Sequence, residues 1–232
     1  VISEGFRTRL LKNGVEQDKI VVIKNWADEE KLNMTNGVKN YEGFDSKYFN
    51  ILFAGNIGKA QAIDSVLDAS VILANNNSMV RFFLLGRGLE LERLKIAAKS
   101  RNIDNVSFLP FVEMEQVGEF LRAADALLVH LRDDELFEIT IPSKIQAYMA
   151  IGKPILLAVK GDAANLVNEA KCGVIAEPES PISLSSAAAK LGKMTKNELQ
   201  ILGNNGKEYY YRELSLQAGV RKFTKVFGEI SK

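Results

Sequence analysis

Seven short apolar runs punctuate the chain: IVVI (20–23), NILFA (50–54), VRFFLL (80–85), VSFL (106–109), ALLVH (126–130), PILLAV (154–159) and GVIA (173–176). None of them alternates with polar residues. A strand with one face in water alternates, whereas a strand covered on both faces does not. Amphipathic stretches lie between the runs, at Gln61–Leu73, Glu90–Ala98, Glu115–Ala124, Ser143–Ile151 and Asp162–Ala170. In the first of these, Ile63, Val66, Leu67, Ala69 and Val71 recur at helical spacing. Six runs between Asn50 and Ala176, most of them joined through a helix, predict an α/β fold. Its centre is a Rossmann-like, doubly wound parallel sheet of about six strands.

The two ends read differently. Residues 1–26 hold one helix–strand unit, SEGFRTRLLKNG then DKIVVIKNW, with too little material for a core of its own. Residues 27–48 are polar, lack sustained periodicity and are expected to be a linker. Residues 49–214 carry the complete α/β domain, and 215–232 form a last helix, SLQAGVRKFTKVFGEI. The chain begins at Val1 without a methionine, so it is expected to be a fragment that has lost a preceding domain.

Charge and rare residues narrow the chemistry. Thirty basic and 29 acidic residues leave a net charge of +1, which removes the case for nucleic-acid binding by bulk charge. The single cysteine, Cys172, excludes an intramolecular disulfide or a multi-cysteine metal site. With one histidine, His130, a His-rich metal cluster is excluded and a Ser/His/Asp triad would rest on that residue. No run approaches the ~20 apolar residues of a membrane-spanning helix, and the first residues carry no signal-peptide pattern.

In an open parallel sheet, ligands bind beyond the carboxyl ends of the strands, so the residues just after each run are the candidates. After NILFA come Gly55, Asn56, Gly58, Lys59 and Gln61: two glycines that admit an anion to the backbone, a cation and a helix start. A tight strand–helix turn with a solvated lysine reads equally well. The G-K-[ST] ending of a P-loop and the G-x-G-x-x-G fingerprint are both absent. After VRFFLL comes Arg87 between two glycines. After VSFL come Phe111 and Val112, which could offer an aromatic edge and backbone groups to a base or simply pack. His130 ends ALLVH, where a satisfied structural role competes with general-base chemistry. Further on, Ser143 is expected to cap a helix that brings Lys144 to the same rim, opposite Lys59, as a diphosphate site.

Taken in order, FAGNIGKAQAID, FLLGRGLELERLK, NVSFLPFV, ADALLVHL, IPSKIQAYMAIGKPILLAV and AKCGVIAEP resemble the carboxy-terminal, donor-binding half of a GT-B glycosyltransferase of family four (group 1). The similarity extends to bacterial members that transfer amino sugars of the N-acetylfucosamine type in surface-polysaccharide synthesis. It implies a retaining, metal-independent enzyme with no cofactor, which holds a nucleotide diphosphate-sugar, UDP-linked by family habit. The implied partners are a missing amino-terminal domain and a polysaccharide or lipid-linked acceptor, not nucleic acid. The implied location is cytoplasmic, with contact to the inner membrane made through the missing domain.

By the same resemblance, Gly55 and Gly58 lie near the diphosphate, Ser143 and Lys144 match the phosphate-binding helix start, and Arg87 with Phe111–Val112 match the base side. The sequence also departs from the family. Asn56 and Gln61 stand where an arginine and a lysine are common. The family's paired glutamates, eight residues apart, fall near Glu138 and on Ala147. Gln146, eight residues after Glu138, either takes over the ribose contact or that contact is lost. No catalytic residue is assigned beyond Glu138 as a candidate. A GT-B-like nucleotide-sugar epimerase and a non-catalytic nucleotide-binding partner are the rival readings.

Overall fold

The computed structural model describes residues 1–34 and 44–230. In chain order its helices are α1 (Glu4–Lys12), α2 (Glu29–Asn33), α3 (Asp64–Asn75), α4 (Leu91–Ser100), α5 (Met114–Ala123), α6 (Glu135–Glu138), α7 (Ser143–Ile151), α8 (Asp162–Glu169), α9 (Pro181–Gly192), α10 (Lys196–Tyr209) and α11 (Leu216–Ile230). Its strands are β1 (Phe49–Asn56), β2 (Val80–Arg87), β3 (Val106–Leu109), β4 (Ala126–His130), β5 (Ile155–Ala158) and β6 (Gly173–Ile175).

Among the described residues, six strands form one sheet in the order β3-β2-β1-β4-β5-β6, and every neighbouring pair is parallel. Successive strand residues point to opposite faces, and both faces are apolar here. Leu52, Ala54, Phe83, Leu85, Leu127, Val129, Ile155 and Leu157 join the layer under α5, α7 and α8. Ile51, Phe53, Phe82, Leu84, Ala126, Leu128, Leu156 and Ala158 join the layer under α3, α4 and α9. Two buried faces explain why the runs do not alternate.

The seventh run is not a strand. Ile20–Ile23 lies outside the sheet, and its backbone pairs instead with the first residue: the Val1 amino group donates to Val21 O (2.8 Å) and Ile23 N to Val1 O (2.9 Å). Only Ile20 and Ile23 of the four are buried, so the run supplies half of what a central strand needs. The helix expected before it is present as α1. It is tied to the domain by Gly5 N, which donates to Asp162 Oδ2 at 2.7 Å.

The expected linker at 27–48 also begins with structure. Asp28 caps α2 by accepting from Lys31 N (3.1 Å), and Leu32 is fully buried. Residues 35–43 of that stretch lie outside the described residues. At the other end, Val220, Phe223 and Phe227 share one outward face of α11, as their helical spacing predicts.

Candidate functional site

The strand order reverses between β1 and β4, and the crevice at such a reversal is where parallel sheets bind ligands. The two strands pair at Ile51↔Ala126 and Leu52↔Leu127. Beyond that point Ala54 N donates to the hydroxyl of Tyr148 on α7 (3.2 Å), so α7 closes the bottom of the crevice. Above it opens a cleft of about 640 Å³. Its walls include Gly55 and Asn56 from the end of β1, Gly86 and Arg87 from β2, Phe111 and Val112 after β3, and Ser143 and Lys144 from the start of α7.

Two glycines shape this rim. Gly55 (φ +135°) and Gly86 (φ +144°) are register partners at the ends of β1 and β2. A Cβ on Gly86 would lie 1.9 Å from Gly55 O, and one on Gly55 would lie 2.7 Å from Lys144 Cε. Backbone and lysine therefore approach where no other residue fits.

Lys144 is the chemical centre of the cleft. Its Nζ sits 4.6 Å from the centroid of the Phe53 ring, and among the described residues it has no hydrogen bond and no carboxylate partner. Burial pulls its pKa from the ordinary 10.5 down to about 8. A cation held out of water without a counter-ion is costly, and an anion entering the cleft would relieve that cost. At the start of α7 beside it, Ile145 N is taken by Pro142 O (2.9 Å), and the amides of Ser143 and Lys144 are the first-turn N–H groups left for a ligand. Also on the cleft wall, the Arg87 guanidinium sits over Phe111, 4.1 Å from the ring centroid.

The structure thus gathers Gly55, Asn56, Arg87, Phe111, Val112, Ser143 and Lys144 of the sequence candidates around one cleft. Ser143 is there for a different reason than expected. Pro142 occupies the cap position, and Ser143 is the first helical residue, exposed and making no capping bond.

Gly58, Lys59, Gln61, Gln146 and Glu138 do not line the cleft. Lys59 is exposed on a single 3-10 turn, Lys59–Gln61. Ala62 then turns left-handed (φ 44°) and α3 starts only at Asp64, whose carboxylate pairs with Arg93 (2.6 Å). No helix start therefore reinforces Lys59. Gln61 and Gly58 tie this turn together, Gly58 N donating to Gln61 Oε1 at 3.0 Å. Gln146 is buried; with its amide oriented to suit its neighbours it donates to Pro142 O (2.9 Å) and Ser143 O (3.2 Å). Helical spacing from Lys144 puts Ala147 and Tyr148 on the cleft wall instead. Glu138 is exposed on the short helix α6.

His130 is also outside the cleft. It is buried, and Nδ1 lies 2.9 Å from Gln61 O, which makes it the donor nitrogen. Burial depresses its pKa to about 4. That leaves a neutral, structural imidazole.

Sequence reasoning missed the lower wall. Trp26, Ala27, Asp28 and Leu32 reach the cleft from the segment before the sheet, and Val117 and Leu121 reach it from α5. The α5 residues were recoverable from helical spacing, but nothing local signals the long-range contact of Trp26. Among the described residues, no three His, Cys, Asp or Glu side chains cluster as metal ligands, and no helix is long and apolar enough to cross a membrane.

Comparison with known proteins adds three kinds of likeness. The sequence model of the family described as glycosyl transferases group 1 matches residues 38–209. The probable glycosyltransferase WbjE of Pseudomonas aeruginosa is 25% identical over 226 residues, covering 92% of this chain and 54% of that protein. The putative colanic acid biosynthesis glycosyl transferase WcaI of Escherichia coli K12 is 23% identical over 156 residues, 65% of this chain and 38% of the relative. The chain therefore spans about half the length, or less, of these relatives. HepE of Anabaena, solved in complex with UDP and glucose, superposes with a TM-score of 0.74 at 17% identity over 99% of this chain and 61% of its own. At that identity the likeness is one of fold.

Proposed function

Because the chain belongs to the group 1 glycosyltransferases, we propose that its cleft binds the diphosphate of a nucleotide-sugar and that it forms the donor half of a retaining transferase. The observation that carries this reading is Lys144: a desolvated cation without a counter-ion among the described residues, set between a glycine strand end and a helix N-terminus. UDP is the proposed nucleotide, as in the HepE complex. The diphosphate lies at Ser143, Lys144 and Gly55, and the nucleoside extends toward Arg87, Phe111 and Val112.

In the transfer, the bond from the sugar C1 to the diphosphate breaks and its electron pair moves to the phosphate. Lys144 and the α7 amides stabilise the charge that develops there, the kind of preorganised electrostatics such sites depend on. An acceptor hydroxyl then attacks C1 from the face the diphosphate leaves, and its proton passes to the departing phosphate oxygen.

The acceptor, a surface polysaccharide or its lipid-linked precursor, docks on a second domain that precedes this one, working at the cytoplasmic face of the membrane. Closure of two such domains excludes water and orients the acceptor. The outward face of α11 at Val220, Phe223 and Phe227 is the proposed seat of that domain. The donor sugar is proposed to be an amino sugar of the N-acetylfucosamine type.

Calorimetry with UDP, GDP, ADP and a panel of UDP-sugars tests the reading. Saturable binding that prefers UDP is expected. Absence of nucleotide binding at several millimolar would remove the donor-site assignment, and preference for GDP or ADP would remove UDP.

A further inference from the structure

We infer that Trp26 is the nucleobase wall of the cleft and that Gly219, against the indole, sets its position, so that the C-terminal helix governs nucleotide affinity through it. The inference rests on the cleft being a nucleotide site. Trp26 lines the cleft. Its ring lies against α11, meeting Phe223 edge-on with centroids 6.5 Å apart and planes at 89°. A Cβ added to Gly219 would sit 2.6 Å from both Cε3 and Cζ3 of the indole. Glycine inside a helix carries a stability cost relative to alanine. Here that cost is offset by a seat for the indole that no other residue leaves open.

The rest of the strip is fastened to the same C-terminal element. Ala27 N donates to the buried Tyr210 hydroxyl (3.1 Å), and that hydroxyl donates to Glu29 Oε1 (2.8 Å). Leu216 N, at the start of α11, donates to the same carboxylate oxygen (3.0 Å). Trp26, Ala27 and Asp28 therefore enter the cleft as a strip held by α11 and the turn before it, not as a free connection.

The chemistry of the wall selects the ligand part. The cationic end of the cleft, at Lys144 and Ser143, suits a diphosphate. Trp26, Val117 and Leu121 line the same cleft and offer apolar contact, with the indole as a flat aromatic face. A planar heterocycle gains from stacking on an aromatic ring, and the nucleobase is the part of a nucleotide-sugar that can use it.

The chain has one tryptophan, so its emission reports this wall directly. Calorimetry and tryptophan fluorescence would be recorded together for UDP and for inorganic pyrophosphate, with wild type, Gly219→Ala and Trp26→Ala. UDP is expected to change Trp26 emission in wild type. Gly219→Ala, which raises helix propensity and moves the indole, is expected to weaken UDP at least fivefold while pyrophosphate stays within twofold. Trp26→Ala, which leaves the sequence of α11 unchanged and removes the indole itself, should give the same split. If Gly219→Ala binds UDP as wild type does, or if pyrophosphate affinity falls along with UDP, the coupling is wrong and the donor site stands. UDP binding that leaves the emission unchanged also overturns it. If wild type binds neither probe, the donor-site reading falls and the coupling falls with it.

Discussion

Replacing Lys144 by methionine should make the empty protein more stable and the nucleotide weaker. The side chain is largely out of water and has no counter-ion among the described residues, and its pKa drops from 10.5 to about 8. At roughly 1.4 kcal/mol per pH unit, that gap corresponds to about 3 kcal/mol of unfavourable burial of the charged form. The contact with Phe53 returns about 1 kcal/mol, so Lys144→Met should gain about 1–3 kcal/mol at pH 7 with the unbranched shape kept. The sign with pH follows from proton counts. Between about 8 and 10.5 the unfolded chain holds a proton that the folded chain has released, so wild-type stability rises with pH across that window. The variant should lack this rise.

Urea unfolding at pH 7 and 9.5 measures both effects, and calorimetry with UDP measures the other side. Loss of a charge-assisted contact costs about 1.5–3 kcal/mol, roughly 10- to 150-fold in affinity. In wild type, UDP binding should also weaken above pH 8 as the lysine loses its proton. A variant that is less stable at pH 7, with the same pH slope as wild type and unchanged UDP affinity, would refute the reasoning. Lys59→Ala is the contrast: exposed and outside the cleft, it should leave UDP affinity within about twofold.

Gly86→Ala should cost at least about 3 kcal/mol or prevent folding, because the new Cβ meets Gly55 O at 1.9 Å from a φ of +144°; a thermal melt close to wild type would contradict the tight approach of β1 and β2. His130 titrates near 4 when folded and near 6.5 when unfolded, so acid adds its proton to the unfolded chain first. Wild type should lose about 3 kcal/mol through this group between pH 6.5 and 4, a loss that His130→Asn should flatten in denaturant curves; equal pH profiles would count against a buried neutral imidazole. With Ala147 on the cleft wall and Gln146 turned into α7, no carboxylate from that helix reaches a ribose. UDP and its 2′-deoxy counterpart should therefore bind within about threefold of each other, and a tenfold preference for UDP would place a hydroxyl-reading group in the cleft.

The sheet was legible because burial on both faces leaves a mark in composition: Ile51 and Leu52 feed different layers, yet both must be apolar. The same mark misleads at Ile20–Ile23, since an apolar run says nothing about whether a strand edge is available to it. The rim glycines and the cation at Lys144 were readable because their positions follow directly from strand ends and a helix start. Which of two lysines is desolvated was not, because that depends on where α3 begins, and a left-handed Ala62 delays it to Asp64. The facing of Ala147 rather than Gln146 follows from helix periodicity counted from Lys144. Trp26 was out of reach, as its place depends on Gly219, almost two hundred residues later in the chain.

A crystal structure of the chain soaked with UDP tests the donor-site assignment most directly. The assignment predicts a phosphate oxygen about 2.7–3 Å from Lys144 Nζ, the range of a charge-assisted hydrogen bond, with the α7 amides beside it and the uracil between Phe111 and Trp26. UDP bound with its phosphates at Lys59 or outside the cleft, and Lys144 still without an anion, would contradict it.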